Sequence, residues 1–577
     1  MNFEELFFCR FENLYGAAEA EKAEKRLTRL LQKYRLEGHD PEKTCSCSRW
    51  SEKDAILITY GDTVYKETDN EPKLQTLRKF VRKYIGEAVS TVHILPFFPS
   101  SSDSGFSVID YRKVREDLGS WDDIRQFAED YRLMGDLVIN HTSRDSIWFK
   151  NYVRQEGEGK DYFIEVSPDW DLSAVTRPRS SPLLTAVHTT NGLKHLWTTF
   201  SDDQIDLDFT NPDVLFEFLD IFLFYISRGI EVIRLDAIAY LWKKPGTYSI
   251  HLDQTHEVVK LFRDIVDQFA PHVTLITETN VPFYENVSYF GNGDEAHMIY
   301  QFSLPPLLLH AILTENSYYL TDWASSLPDP PNGAMYFNFT ASHDGIGVRP
   351  LEGLIPADEF DYLERSTKER GGFISYKQNP NGTKSPYELN ITYYDAFKER
   401  GKGETELQMQ RYMCSQTIML SLQGVPGIYF HNLTATSNYV EGVLATGHRR
   451  EINRKQWAYQ ELKELLEDPE SVTRQVLDQY KDLLEKRKSH RAFSPRASQE
   501  VFDLGNNLFA FRRTSADGNE RILVISNITR RAIIVEQSLI HILEKKDEGY
   551  YDIISETNVA RRGTLRLSPF QTVWLLV

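Results

Sequence analysis

Only four cysteines occur in 577 residues, Cys9, Cys45, Cys47 and Cys414, too few for a disulfide framework in a chain of this length. Cys45 and Cys47 form C-x-C with no second cysteine or histidine pair beside them, short of the ligand set that a structural zinc site takes; the thiols are given no role. Long apolar runs are also missing, since no stretch reaches the roughly 18 consecutive residues of a membrane-spanning helix. The first residues, MNFEELFFCRFENLYG, carry acids where a secretory leader needs a basic start. Positive charge is scarce: 66 Lys and Arg against 84 Asp and Glu leave a net charge of −18. That balance disfavours a nucleic-acid partner, because phosphate backbones are held by clustered cations, and any anion bound here needs a local basic pocket. The expectation is a cytoplasmic monomer or homodimer with no membrane and no nucleic-acid partner.

What is present suffices for a large core: 41% of the residues are hydrophobic, with no low-complexity tract and no internal period. From Phe3 to Leu36 charged residues alternate with apolar ones at helical spacing, and AEAEKAEKRLTRLLQKY consists of strong helix formers. Residues 1–50 therefore read as a helical extension. Eight short apolar, β-branched runs follow: Ala55–Tyr60, Thr91–Phe98, Asp136–Asn140, Glu231–Ala239, Val273–Glu278, Met298–Leu304, Met335–Ser342 and Val425–Phe430. Between most of them lie helix-like stretches such as Leu74–Tyr84, Trp121–Tyr131, Val214–Ser227 and His256–Ala270. Continuous apolar strands alternating with helices describe a parallel sheet covered on both faces, and eight units predict a closed (β/α)8 TIM barrel over 51–498. A doubly wound open sheet is the alternative. Insertions at about 142–211 and 345–424 are too long for simple crossovers, and long loops after barrel strands usually carry function. From 499 to 577 the pattern turns to short alternating runs, NLFAFRR, RILVISNI, AIIVEQ and TVWLLV, predicting a C-terminal antiparallel β domain.

Four runs end in acid or histidine: DLVINH at His141, VIRLDA at Asp236, LITET at Glu278 and FTASHD at His343 and Asp344. The C-terminal ends of barrel strands are where such a fold keeps its site, and a buried carboxylate needs a partner or a task. Three carboxylates with histidines and an arginine suit retaining glycoside chemistry, in which one carboxylate is the nucleophile and another, about 5–5.5 Å away, the proton donor. Arg234 precedes Asp236 by two residues and so points the same way; its charge is expected to hold Asp236 ionised. Glu278 ends its run among apolar residues, where desolvation is expected to keep it protonated.

DLVINH, IEVIRLDAIAY, LITETN and FTASHD resemble, in order and spacing, the four conserved motifs of the α-amylase superfamily, glycoside hydrolase family 13. HILPFF, SSDSGFSVIDY, TRPR, QIDLDF, FSLPPLLLHA, ASHDGIG, SPYELNITYYDAF, GVPGIYF and REINR are similar to its sucrose phosphorylase branch. HLWTTFSDDQIDLDF, KKPGTYSIHLDQTH, ITETNVPFYENVSYFG and the N-terminal extension look like 2-O-α-glucosylglycerate phosphorylases within that branch. The resemblance implies Asp236 as nucleophile, Glu278 as acid/base and Asp344 as the carboxylate that stabilises the oxocarbenium-like state. It places His141 and His343 on glucosyl hydroxyls, Asp103 and Arg450 at O4 and Phe106 stacked on the ring, with Arg234, Tyr240 and Asn280 in the same substrate-binding set.

A phosphorylase must hold phosphate and keep water from the glucosyl enzyme, and arginine forks suit phosphate best. Arg179 and Arg177 in TRPR and Arg449 in HRRE are the candidates for phosphate or acceptor, with Lys243 and Lys244 beside them. In SPYELN the pair Tyr387 and Glu388 stands where sucrose phosphorylases carry tyrosine and glutamine, and Asn280 stands where sucrose-specific members carry histidine; both departures point to a small acceptor other than fructose. The implied partners are a small sugar substrate and inorganic phosphate, with no cofactor and no metal required. Phosphorolysis of glucosylglycerol, sucrose or sucrose phosphate is the alternative in the same class. A hydrolase or transglucosidase, and a non-catalytic sugar-binding relative, are the alternatives outside it.

Overall fold

The computed structural model describes residues 3–36, 50–67, 71–379, 382–536, 550–559 and 564–577; Cys45 and Cys47 lie outside them. Eight parallel strands close into a barrel: β1 (Ile56–Thr59), β2 (Thr91–Ile94), β3 (Arg132–Val138), β4 (Ile230–Asp236), β5 (Thr274–Thr277), β6 (Met298–Tyr300), β7 (Met335–Phe339) and β8 (Val425–Tyr429). Each pairs with its neighbours in sequence, and β8 returns to β1 with Gly427 beside Ile56, which excludes the open sheet. All eight overlap the apolar runs, although β3 begins at Arg132, four residues before its run. Their near-continuous hydrophobicity follows from burial on both faces, inward by the barrel core and outward by helices.

Strand ends differ from the runs for local reasons. β2 stops at Ile94 because Pro96 has no N–H to continue the ladder. The run Met298–Leu304 is strand only to Tyr300, and Leu304 opens a helix whose first turn holds Pro305 and Pro306, where missing N–H groups cost nothing. Gly427 in β8 is forced by packing: a Cβ there would strike the Phe337 ring of β7.

The N-terminal segment is a hairpin rather than one helix. α1 (Phe3–Tyr15) and α2 (Ala17–Lys33) are separated by Gly16 at φ 83°, a left-handed backbone that glycine adopts without strain. Ala20, Ala23, Leu27 and Leu31 recur at helical spacing and are buried. The hairpin packs on the two helices that flank β4. Arg10 bonds Asp264 at 2.7 Å and Glu257 at 3.1 Å on the helix Asp253–Phe269. Phe11 stacks on Phe216, with ring centroids 5.6 Å apart, and Lys33 pairs with Asp220 at 2.6 Å on the helix Pro212–Ser227.

At the other end of the chain a six-stranded antiparallel sheet begins at Ser498. Its alternation has two buried outcomes. Phe509, Phe511, Ile522, Val524 and Trp574 join the barrel core, while Leu508, Ala510, Leu523, Ile525, Val573 and Leu575 form a second cluster with Val535, Leu565 and Leu567 of a separate strand pair. The two long insertions carry their own structure: a helix Ile147–Arg154 and the hairpin Leu184–Thr189/Gly192–Trp197 in the first, a helix Ala357–Glu369 and a three-stranded sheet in the second. Among the described residues no helix is long and apolar enough to cross a membrane.

Phe11 is fully buried in this arrangement. Phe11→Ala should cost about 3–5 kcal/mol, read as an earlier thermal unfolding transition; an unchanged transition would show that the hairpin is not bound to the barrel.

Candidate active site

A narrow cavity opens at the C-terminal ends of the barrel strands, the face on which such a fold carries its site. Beneath it, inward side chains on three adjacent strands form one charged row. His93 on β2 meets Asp136 on β3 at 2.7 Å; Asp136 meets Arg234 on β4 at 2.5 Å; the same guanidinium nitrogen meets Asp236 at 2.6 Å. Strand register makes this possible, since Asp136 lies directly beside Arg234. Burial is the largest influence on Asp136 and raises it, but His93 and Arg234 hold its carboxyl down at about 2.

Asp236 is the last residue of β4, and Ala237 after it takes a left-handed φ of 51°. Such backbone costs energy and clusters at functional sites. Here it aims the Ala237 N–H at Glu278 Oε2, 3.0 Å away. Glu278 itself follows β5, its N–H bonded to Leu235 O of β4 at 3.1 Å, so strand pairing sets the two carboxyls side by side. Burial raises Asp236 well above the ordinary carboxylate range; Arg234 opposes the rise and Glu278 adds to it. Arg234 opposes the rise as its spacing suggested, but it divides its charge between Asp236 and Asp136. Burial also raises Glu278, as its apolar strand end suggested. Glu278 makes ionisation of Asp236 harder, and the two titrate as a pair. Arg234 is 2.6 Å from Asp236 and 3.9 Å from Glu278, which favours the negative charge on Asp236 and the shared proton on Glu278.

The far side of the cavity closes through Arg450, which pairs with Asp344 at 2.5 Å, stands 3.8 Å from Asp103 and grips Glu388. Arg454 braces the same wall, donating to Ser104 at 2.7 Å and to His343 O at 3.0 Å. Burial raises Asp103, but Arg450, Arg454 and Arg179 together bring it to about 2. The SSDSGF turn reaches this position because Gly105, at φ 110°, lies against Pro96; a Cβ would stand 2.5 Å from the Pro96 carbonyl oxygen. Burial lowers both His141 and His343, leaving neutral rings. His141 Nε2 bonds Phe106 O at 2.8 Å, and the Phe106 ring stacks on His343 at 4.6 Å.

Of the residues expected at the site, Asp103, Phe106, His141, Arg179, Asp236, Tyr240, Glu278, Asn280, His343, Asp344, Tyr387 and Arg450 line this one cavity. Arg234 lies behind Asp236. Glu388 is buried and turned to Arg450, and Arg179 stands 3.5 Å from it. Four expected anion-binding cations are elsewhere. Arg177 donates to Ser181 O; Arg449, on an exposed turn, donates to Ile374 O. Lys243 is buried between Asp206 at 2.7 Å and Asn140 at 2.6 Å, a support under His141 and not a phosphate ligand; Lys244 is exposed outside the lining. Sequence reasoning missed Phe200, Gln204 and Thr279 in the lining, and His93, Asp136 and Arg454 behind it. Asp136 did carry a signal, an acid opening an apolar run, but its partners come from other strands.

A closed eight-stranded parallel barrel with carboxylates at three strand ends is the architecture of the α-amylase class, and residues 82–326 match the model of the α-amylase catalytic domain. The chain belongs to that superfamily, glycoside hydrolase family 13. Within it the chain is 47% identical over 518 residues to a glucosylglycerate phosphorylase of Spirochaeta thermophila, covering 89% of this chain and 88% of that protein. It is 41% identical over 567 residues to a glucosylglycerate phosphorylase of Escherichia coli, covering 98% of both. Among solved structures, the sucrose 6F-phosphate phosphorylase of Thermoanaerobacter thermosaccharolyticum superposes with a TM-score of 0.71 at 26% identity, covering 82% of this chain and 94% of that one.

Asp136→Ala should leave Arg234 loosely held and misplace Asp236. Because displacement of a reacting group by about 1 Å costs about 100-fold, kcat/KM should fall by that order while the protein stays folded; near-normal turnover would remove Asp136 from the support of the site.

Proposed function

We propose that this protein is a retaining glucoside phosphorylase that converts 2-O-α-D-glucosylglycerate and phosphate into α-D-glucose 1-phosphate and D-glycerate. The observation that carries the reading is the nearly full-length match to glucosylglycerate phosphorylases at 47% and 41% identity. The site supports it with a nucleophile and a donor on neighbouring strands and a cavity walled off beyond Asp103, Arg450 and Arg454. A wall there admits one glucosyl unit and excludes glucan chains.

In the first step an Asp236 carboxylate oxygen attacks the anomeric carbon from the β face, opposite the departing oxygen. Glu278 gives its proton to the 2-oxygen of glycerate as that bond breaks, leaving a β-glucosyl ester on Asp236. Glu278, now ionised, takes a proton from phosphate, whose oxygen attacks the anomeric carbon and releases Asp236. Two inversions give net retention. Positive charge develops on the ring in both steps, and Asp344 stands where it stabilises that charge. Arg179 is the arginine of the TRPR segment that lines the cavity, and it holds the phosphate. Asp103 and Arg450 hold the glucosyl O4, and the neutral His141 and His343 serve its other hydroxyls as donors or acceptors.

Incubation with glucosylglycerate in phosphate buffer should yield glucose 1-phosphate. Free glucose as the main product would make the protein a hydrolase, and no turnover of glucosylglycerate beside rapid turnover of sucrose or glucosylglycerol would move it elsewhere in the branch. Asp236→Asn should abolish turnover without unfolding; a near-normal rate would remove the nucleophile.

Glu278→Gln should slow glucosylglycerate phosphorolysis by about 100-fold or more and spare formation of the glucosyl enzyme from α-glucosyl fluoride, whose leaving group needs no proton; equal losses would count against the donor. Raised Glu278 also sets a pH limit. The donor is lost as pH rises through its elevated value, so the basic limb of kcat/KM should lie above the range of an ordinary glutamate and vanish for the fluoride in Glu278→Gln.

A further inference from the structure

The segments KKPGTYSIHLDQTH and ITETNVPFYENVSYFG have no part in the proposed cycle beyond Glu278, yet Glu285 of the second approaches an arginine and His251 of the first holds that glutamate. His251 Nε2 bonds Glu285 Oε2 at 3.0 Å, and the same oxygen lies 3.7 Å from Arg349 Nη2. His251 is itself fixed, with φ 55° and Nδ1 at 2.9 Å from the Tyr289 hydroxyl.

Arg349 follows the short strand Ile346–Gly347 that pairs with Leu389 and Glu388, and Val348 N–H donates to Tyr387 O at 3.0 Å. It thus stands behind Tyr240 and Tyr387, two aromatic residues of the cavity wall, and Nη1 donates to the Tyr240 hydroxyl at a long 3.3 Å. The residue is 8% exposed, and its Nε is buried with no hydrogen-bond partner. Its nearest carboxylate, Glu285, is half exposed. Arg234, whose Nε is likewise unpartnered, and Arg450 differ in that each meets two carboxylates in the interior. A guanidinium has five donors and is expensive to bury unless anions take them. Arg349 is an under-compensated cation behind this wall.

We propose that Arg349 recognises the carboxylate of the acceptor and so selects glycerate over a neutral polyol, and that Glu285 and His251 are positioning residues that hold it. The inference rests on the phosphorylase reading above. Geometry divides the anions. Phosphate has to reach the anomeric carbon and uses Arg179 in the lining, whereas the glycerate carboxylate, one carbon beyond the glycosidic oxygen, lies farther from that carbon and is assigned to Arg349 behind the Tyr240 and Tyr387 wall.

Synthesis from α-glucose 1-phosphate tests this, with D-glycerate or glycerol as acceptor and phosphorolysis run in parallel. Arg349→Gln should raise the KM for glycerate by about 10- to 100-fold, the loss of one charge-assisted contact. The KM values for glycerol and for phosphate should move by less than about threefold. Arg349→Lys should restore part of the loss, and Glu285→Gln should produce the same selective rise at smaller size. Equal losses with glycerate and glycerol would show a merely structural arginine, and a phosphate KM that rises with that for glycerate would make the bound anion phosphate; either result overturns the proposal. A wild-type protein that does not glucosylate glycerate would instead overturn the phosphorylase assignment on which it rests.

Discussion

One buried guanidinium, that of Arg234, is the constraint around which the site is arranged. It is 3% exposed, and its charge survives there only because Asp136 and Asp236 flank it at 2.5 and 2.6 Å. The dependence runs both ways. Asp136 is fully buried and needs His93 and Arg234; Asp236 at the strand end leans on Arg234 against the neighbouring Glu278. Three strands must be in register for the row to close. A barrel that supports these charges is already committed to the side-by-side placement of Asp236 and Glu278, because the ladder that sets Asp136 against Arg234 continues across β4 to β5.

The cavity above that row is asymmetric in how its charges are satisfied. At the closed end Arg450 and Arg454 each face two carboxylates, Asp344 at 2.5 and 3.8 Å and Asp103 at 3.8 and 3.5 Å. Toward the acceptor, Arg179 and Arg349 have only a 3.5 Å and a 3.7 Å carboxylate partner, and two tyrosines stand between them. An acidic protein of net charge −18 thus keeps two arginines at or behind one wall of its cavity with a single carboxylate within 4 Å of each. Local compensation, not overall charge, decides what such a pocket binds.

Much of this was legible in the chain. The eight apolar runs marked the barrel because burial on both sides of a parallel strand removes alternation, and the acids ending those runs stood out because carboxylates are costly in such surroundings. Strand endings were less legible: Pro96 and the Pro305–Pro306 pair decide where β2 and β6 stop. Cations were the weakest reading. Arg177, Arg179 and Arg449 look alike in sequence, yet only Arg179 lines the cavity, while the other two end on the carbonyl oxygens of Ser181 and Ile374. A long flexible side chain on a loop carries no periodicity from which its direction can be read.

Sequence by itself determined the kind of barrel, the positions of Asp236, Glu278 and Asp344 at its strand ends, and the small β sheet that closes the chain, because each depends on patterns within a few consecutive residues. Tertiary structure alone decided which groups compensate which: Asp136 sharing Arg234, Lys243 spent on Asp206, Arg450 tying Asp344 to Glu388, and Arg349 left nearly unpaired. Those pairings join residues up to about 100 positions apart, and electrostatic energy depends on distance in space and on burial, neither of which is written in local order.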